Sequence, residues 1–170
     1  MIEGLFVRAL AVDPASSFAD DLRAIGLDLR HIEDRYDINV WIASLDVATK
    51  YVYPELPRDD AWVRLGRRFI EGYFHTFVGG AIAAVLPFMS ASRFVERIPW
   101  FLRTGLGGAT AELDFTGPNS ALLTMHGPHL RSPIILVGVL EVCFERLGTK
   151  GTFSWKVIGE VDTELTISWT

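Results

Sequence analysis

The apolar positions of this chain change period once along its length. Up to about residue 105 they recur every three or four residues, as on helices buried along one face, and from Ala111 they alternate, as on strands half buried in a sheet. A chain patterned in this way has to lay helices against a sheet.

The helical part is punctuated by caps and prolines. A short apolar segment, Leu5 to Val12, stops at Asp13-Pro14, and Ser16 or Ser17 can cap a helix carrying Phe18, Leu22 and Ile25 before Gly26. Asp37 is placed to cap a core helix through Val40, Trp41, Leu45, Ala48 and Val52, ending before Pro54. Asp59 then opens a longer helix in which Trp62, Leu65, Phe69, Tyr73 and Phe77 share a face, with Arg58, Arg64, Arg67, Arg68 and Glu71 on the solvated side. A further helix starts at Ser90 or Ser92 and runs through Phe94, Ile98 and Phe101, interrupted by Pro99 and closed by the glycines of 105–108.

Beyond the glycines Ala111, Leu113 and Phe115 alternate with polar residues, Gly117-Pro118-Asn119-Ser120 makes a turn, and Ala121, Leu123 and Met125 return. Ser132-Pro133 starts a helix whose run Ile134 to Phe144 is apolar nearly all round and must be central. Gly148 ends it, and Phe153, Trp155 and Val157 pair across Gly159–Thr163 with Leu165, Ile167 and Trp169. The expectation is an α+β fold in one domain, 1–170. Four or five helices (about 1–105) form a layer on a four-stranded antiparallel sheet made of two hairpins separated by a central buried helix (about 106–170). Which edges the hairpins join by is open at this level.

Composition narrows the function classes. With 49% hydrophobic and 22% charged residues in 170, the chain can bury a core without staples, and its single Cys143 forbids an intrachain disulfide or a multi-thiolate zinc site. A net charge of −5 lacks the basic excess of a nucleic-acid-binding domain. The N-terminus has neither a basic region nor an apolar stretch of secretory type, so a cytoplasmic location is expected. Residues 72–92 carry no formal charge, but Gly79-Gly80, Pro87, His75 and Ser90 interrupt them. The expectation is a buried helical hairpin or kinked core helix and no membrane span, with Gly79-Gly80 permitting a break and Pro87 forcing one.

Three segments carry a family resemblance: Leu65-Gly-Arg-Arg-Phe-Ile-Glu-Gly-Tyr-Phe, Arg93-Phe-Val-Glu-Arg-Ile-Pro with Phe101-Leu-Arg-Thr-Gly, and the closing hairpin after Leu147-Gly-Thr-Lys-Gly. Together, from about Glu3 to Trp169, they resemble a lineage-expanded myxobacterial paralogous family, a domain of unknown function. The order of elements is also similar to haem–nitric-oxide-binding, four-vinyl-reductase and TRAPP-type domains. That likeness is one of topology, and it implies a helical layer over an antiparallel sheet, frequent dimerisation through helices, and an interior able to hold a small apolar ligand or acyl chain. It implies no catalytic residues.

Several side chains invite a chemical reading. His75, inside the charge-free stretch, is of a type that ligates haem or a metal, although a buried histidine bonded to a carbonyl explains it equally well. Nothing in the chain matches the tyrosine, serine and arginine motif that grips haem propionates, so haem is a ligand to test and no cofactor is expected. His126 and His129 have turn spacing for two metal ligands but lack a third, and His31 has no evident partner, so no metal is expected. Arg93, Arg97 and Arg103, beside Phe94, Trp100 and Phe101 and near the glycine run, can receive a carboxylate or phosphate, against the simpler reading of a surface charge pattern. There is no Gly-x-Ser-x-Gly elbow, and Cys143 sits within the apolar helix, where burial would mute it.

These residues point to a non-enzymatic sensory or ligand-binding module, a homodimer, holding a small hydrophobic or amphipathic ligand among Trp62, Phe69, Tyr73, His75, Phe77 and Trp100. Phe74 belongs to the same aromatic interior. The alternatives are a protein–protein interaction module whose aromatics are all core, and an enzyme acting on an anionic substrate at Arg93, Arg97 and Arg103.

Overall fold

The computed structural model describes residues 1–33, 36–105, 110–126, 134–160 and 162–170. Among them are seven α-helices: α1 (Ser17–Ala24), α2 (Ile38–Val52), α3 (Arg58–Phe74), α4 (Phe77–Val85), α5 (Ala91–Glu96), α6 (Ile98–Gly105) and α7 (Ile134–Arg146). Four strands, β1 (Thr110–Gly117), β2 (Ser120–His126), β3 (Gly151–Val157) and β4 (Thr163–Trp169), make one antiparallel sheet. The fold is therefore α+β, with six α-helices before the sheet and α7 between its hairpins.

The expected caps hold at three helices. Ser16 accepts from the Ala19 N–H at 3.2 Å, Asp37 from Asn39 at 2.7 Å and Ser90 from Arg93 at 3.4 Å, each satisfying a donor that the first turn leaves unpaired. The cap expected of Asp59 is not made. Pro57 precedes α3 without a side-chain cap, and Asp59 and Asp60 lie inside the first turn, where negative charge still meets the positive end of the helix dipole. Before α1, Glu3–Ala9 form a wide π-type turn that buries Leu5 and Phe6. The Ser132-Pro133 start and the glycine run beyond Gly105 lie outside the described residues.

Two expected helices are each divided. The long helix of Trp62 to Phe77 ends at Phe74, and the axis turns by 99° into α4. His75 and Thr76 form that elbow: the Thr76 hydroxyl donates to the Tyr73 carbonyl at 2.7 Å and accepts from the Gly79 N–H at 3.1 Å. The break thus falls before Gly79-Gly80, which lie within α4, while Pro87 sits in a short 3-10 turn, Leu86–Phe88. Gly79 is needed for another reason, because a Cβ there would collide with the Tyr73 carbonyl. Ser90 opens α5, and Pro99 lies at the start of a separate α6.

The strand order is β1-β2-β4-β3, so the hairpins join through β2 and β4, with Leu123 opposite Leu165 and Ala121 opposite Ile167. These inner strands carry the deepest alternation, with Ala121, Leu123 and Met125 on β2 and Leu165, Ile167 and Trp169 on β4 all buried. The opposite face of the sheet is polar. There Lys156 meets Glu164 across β3–β4 at 2.7 Å.

Two apolar clusters fill the interior. Leu5, Phe6, Leu22, Leu27, Trp41, Leu45, Trp62 and Leu65 form an N-terminal helical core, while Phe74, Phe94, Val95, Leu140, Phe144 and the inner strands form a helix–sheet core. Helices α3 and α7 contribute to both. They approach backbone to backbone, since a Cβ on Gly66 would strike the Ile135 carbonyl and one on Gly138 the Val63 carbonyl. Arg67 fastens the same pair, reaching Glu141 and Glu145 of α7 at 3.0 Å each. It is therefore more than part of a solvated face, as is Arg58, which grips Asp46 of α2 through two bonds of 3.0 and 3.1 Å.

Candidate functional site

The aromatic residues expected to line a pocket divide into a buried stripe and an exposed group. Trp62, Phe69 and Tyr73 follow one another along α3 at helical spacing. Trp62 is 2% exposed in the N-terminal core, and Phe69 packs against that core with its ring 5.7 Å from Trp41 and 6.2 Å from Tyr73. Tyr73 is half-buried against the helix–sheet core, and burial raises its phenol pKa. The stripe therefore runs from one core to the other.

Trp62 has an unusual environment. Its indole Nε1 is buried and has no hydrogen-bond partner, whereas buried donors are nearly always paired. The Arg58 guanidinium lies 4.7 Å from the ring centroid, held there by Asp46, and covers the ring face without supplying an acceptor. A polar atom of a ligand would satisfy this N–H. The sequence offered no signal for this unpaired donor, nor for Trp41 as the partner of Phe69.

The remaining predicted residues do not join the stripe. His75 ends α3 exposed, Phe77 is 97% exposed at the start of α4, and Trp100 is 53% exposed on α6. Phe77 and Trp100 thus belong to the surface and not to the aromatic interior; of the residues grouped with them, Phe74 is buried. The hairpin of α3 and α4 is likewise not buried, because α4 turns an apolar side outward. At Phe77 the helical face that α3 had kept inward is redirected by the elbow.

Arg93, Arg97 and Arg103 are all exposed, beside Trp100, and make no ion pair among the described residues. Of the glycine run 105–108 expected to complete an anion site, Gly105 ends α6 and residues 106–108 lie outside the described residues, as does His129. His126 projects from the polar side of β2, its Nδ1 3.2 Å from Asp162, and His31 stands exposed with Nδ1 3.8 Å from Asp28. Among the described residues no three His, Cys, Asp or Glu side chains group as a metal site. Cys143 is 4% exposed, and burial pushes its thiol up to about 12.

A family model described as "Protein of unknown function (DUF2378)" matches residues 1–170. No curated protein matches the chain. Among solved structures, a Cs H-NOX mutant carrying 4-cyano-L-phenylalanine superposes with a TM-score of 0.71 at 8% identity, covering 99% of this chain and 94% of its own. A mutant Fe(II) unliganded H-NOX protein from K. algicida gives 0.67 at 12% identity, covering 100% and 97%. A third, described by haem redox potential and porphyrin distortion, gives 0.67 at 8%, covering 98% and 97%. At these identities the likeness shows the fold.

The described residues do not fit a haem. Helices α4, α5 and α6 contain no histidine, cysteine or tyrosine, and none of the described histidines reaches the interior. Cys143 is held as a thiol, and Phe144 occupies the space over the sheet with its ring 5.8 Å from Phe94, 5.4 Å from Phe153 and 6.3 Å from Trp169.

Proposed function

For a chain that belongs to the DUF2378 family and has the H-NOX fold, we propose a cytoplasmic, non-enzymatic sensory module that holds a small hydrophobic or amphipathic ligand without iron. The observation that carries this reading is the buried, unpartnered Nε1 of Trp62. It stands among the aromatic rings of the N-terminal core, so a ligand with an apolar body and one hydrogen-bond acceptor would pair the indole N–H and pack on Trp41 and Phe69. The proposal includes a homodimer formed through the helical layer, on the strength of the topological likeness.

Native mass spectrometry of the protein from its own host tests the reading. Wild type is expected to carry extra mass, and Trp62→Phe, which keeps an aromatic ring but loses the donor, is expected to release it. A bare polypeptide mass in every preparation, with no absorbance between roughly 350 and 450 nm, would overturn it. A Soret band would overturn the exclusion of iron. Sedimentation across a wide concentration range reports the dimer.

A further inference from the structure

Helix α4 is apolar all round, a composition that ordinarily belongs to a core or a membrane, yet one whole side of it faces outward. Phe77, Val78, Ala81, Ala84 and Val85 recur at helical spacing along that side, Phe88 follows in the 3-10 turn, and all six are exposed, with Phe77 at 97% and Phe88 at 90%. Isolated exposed apolar residues are ordinary on a protein surface, but a contiguous stripe capped by two bare phenylalanines is not. The elbow at His75-Thr76 is braced by three contacts, so the arm is held out by the fold.

The charges of the segment that follows this stripe, whose helices pack on the same helix–sheet core as α4, indicate what covers it. From residue 72 to 105 the sole acid is Glu96, against Arg93, Arg97 and Arg103, in a chain whose net charge is −5. The three arginines are exposed and unpaired among the described residues, and Trp100 lies exposed between them. A second copy seated symmetrically here would bring the same basic excess, with Glu96 the sole acid of the segment, and so no complement for the arginines. An anionic bilayer would complement them, since its headgroups supply phosphates for the guanidinium forks and its acyl boundary receives apolar side chains.

We propose that α4 and the arginine-bearing side of α5 and α6 form a docking surface for an anionic lipid membrane. The arm lies in the plane of the interface and does not span it, in keeping with the fact that among the described residues no single helix is long and apolar enough to cross a bilayer. The phenylalanines enter the headgroup–acyl boundary, Trp100 sits at headgroup depth and Arg93, Arg97 and Arg103 meet the phosphates.

Flotation of the full chain with phosphatidylcholine vesicles, with and without phosphatidylserine, tests the proposal. The expected result is binding to the anionic vesicles that weakens with added salt. F77S/F88S, two substitutions at exposed sites, is expected to lose at least about tenfold in affinity with unchanged Tm, and each of R93A, R97A and R103A roughly fivefold. Failure of wild type to bind, or equal binding by F77S/F88S, would overturn the proposal. So would a dimer that F77S/F88S converts to monomer without any vesicle binding, an outcome that assigns the stripe to a second copy.

Discussion

Gly138 of α7 lies so close beneath the Val63 carbonyl of α3 that a Cβ could not be added without moving one backbone away from the other. The two helices interlock through a second such contact at Gly66, and each helps to build both cores. We predict that Gly138→Ala destabilises the protein by about 1–3 kcal/mol, the range for overpacked interiors. Gly148 is the control. It adopts φ +69° with open space around it, so Gly148→Ala pays the left-handed backbone penalty alone, about 1–2 kcal/mol. Thermal unfolding of both variants, and of the double variant, checks that the α3–α7 distance is what the first substitution changes.

Arg67 joins the same helices by charge. It bridges Glu141 and Glu145, one turn apart on α7, from a side chain that is 30% exposed. A double-mutant cycle of Arg67→Met and Glu141→Gln should give a coupling of about 0.5–1 kcal/mol that shrinks in high salt, as expected for partly exposed pairs. A coupling of zero at low salt would show the pair to be incidental.

Cys143 makes a different prediction. The folded state raises its thiol from an ordinary 9.0 to about 12, chiefly through burial. A raised acid pKa means the native state holds the proton more tightly than the unfolded chain. Its stabilising contribution is complete below about pH 9 and is lost as pH rises from there towards 12. Iodoacetamide should therefore label Cys143 only as the protein unfolds, and Cys143→Ala should show a shallower alkaline loss of stability than wild type.

At the acid end Asp28 behaves in the opposite sense. The backbone N–H of Arg30 holds its carboxylate pKa below the ordinary value, with Arg23 and His31 adding to the shift. Its contribution is present above the unfolded pKa and disappears as pH falls through the depressed folded one. Asp28→Asn should thus be less stable than wild type at neutral pH and equal to it in strong acid. Tm measured against pH for both proteins decides this.

Much of the architecture was legible because local rules determine it. The change of period at residue 110 announced helix against sheet, Ser16, Asp37 and Ser90 marked real caps, and both hairpins pair as expected, although Phe115, Trp155 and Val157 of the outer strands stay exposed and not on a buried face. The sheet order was not legible, because either hairpin edge satisfies the same alternation and only the depth of packing selects β2 and β4 as neighbours. The elbow was misplaced for a similar reason. Gly79-Gly80 look like a break in sequence, yet the small size of Gly79 serves the close approach to Tyr73, and Thr76 makes the turn. The pocket reading failed at Phe77 and Trp100 because an apolar residue at helical spacing reveals a face but not which way that face points. The unpaired Trp62 Nε1 depends on what surrounds the ring in three dimensions, and spacing along one helix carries no trace of it.

The order β1-β2-β4-β3 also sets a timetable for synthesis. Of the four strands the last to be made is an inner one, bonded on both sides, so until β4 has emerged the first hairpin has no neighbour on its β2 edge and β3 has no partner at all. The nascent domain must therefore carry the open edge of β2, an unpaired β3 and the greasy α7 between them until β4 arrives, and its interval of greatest exposure to aggregation falls between the synthesis of β3 and that of β4.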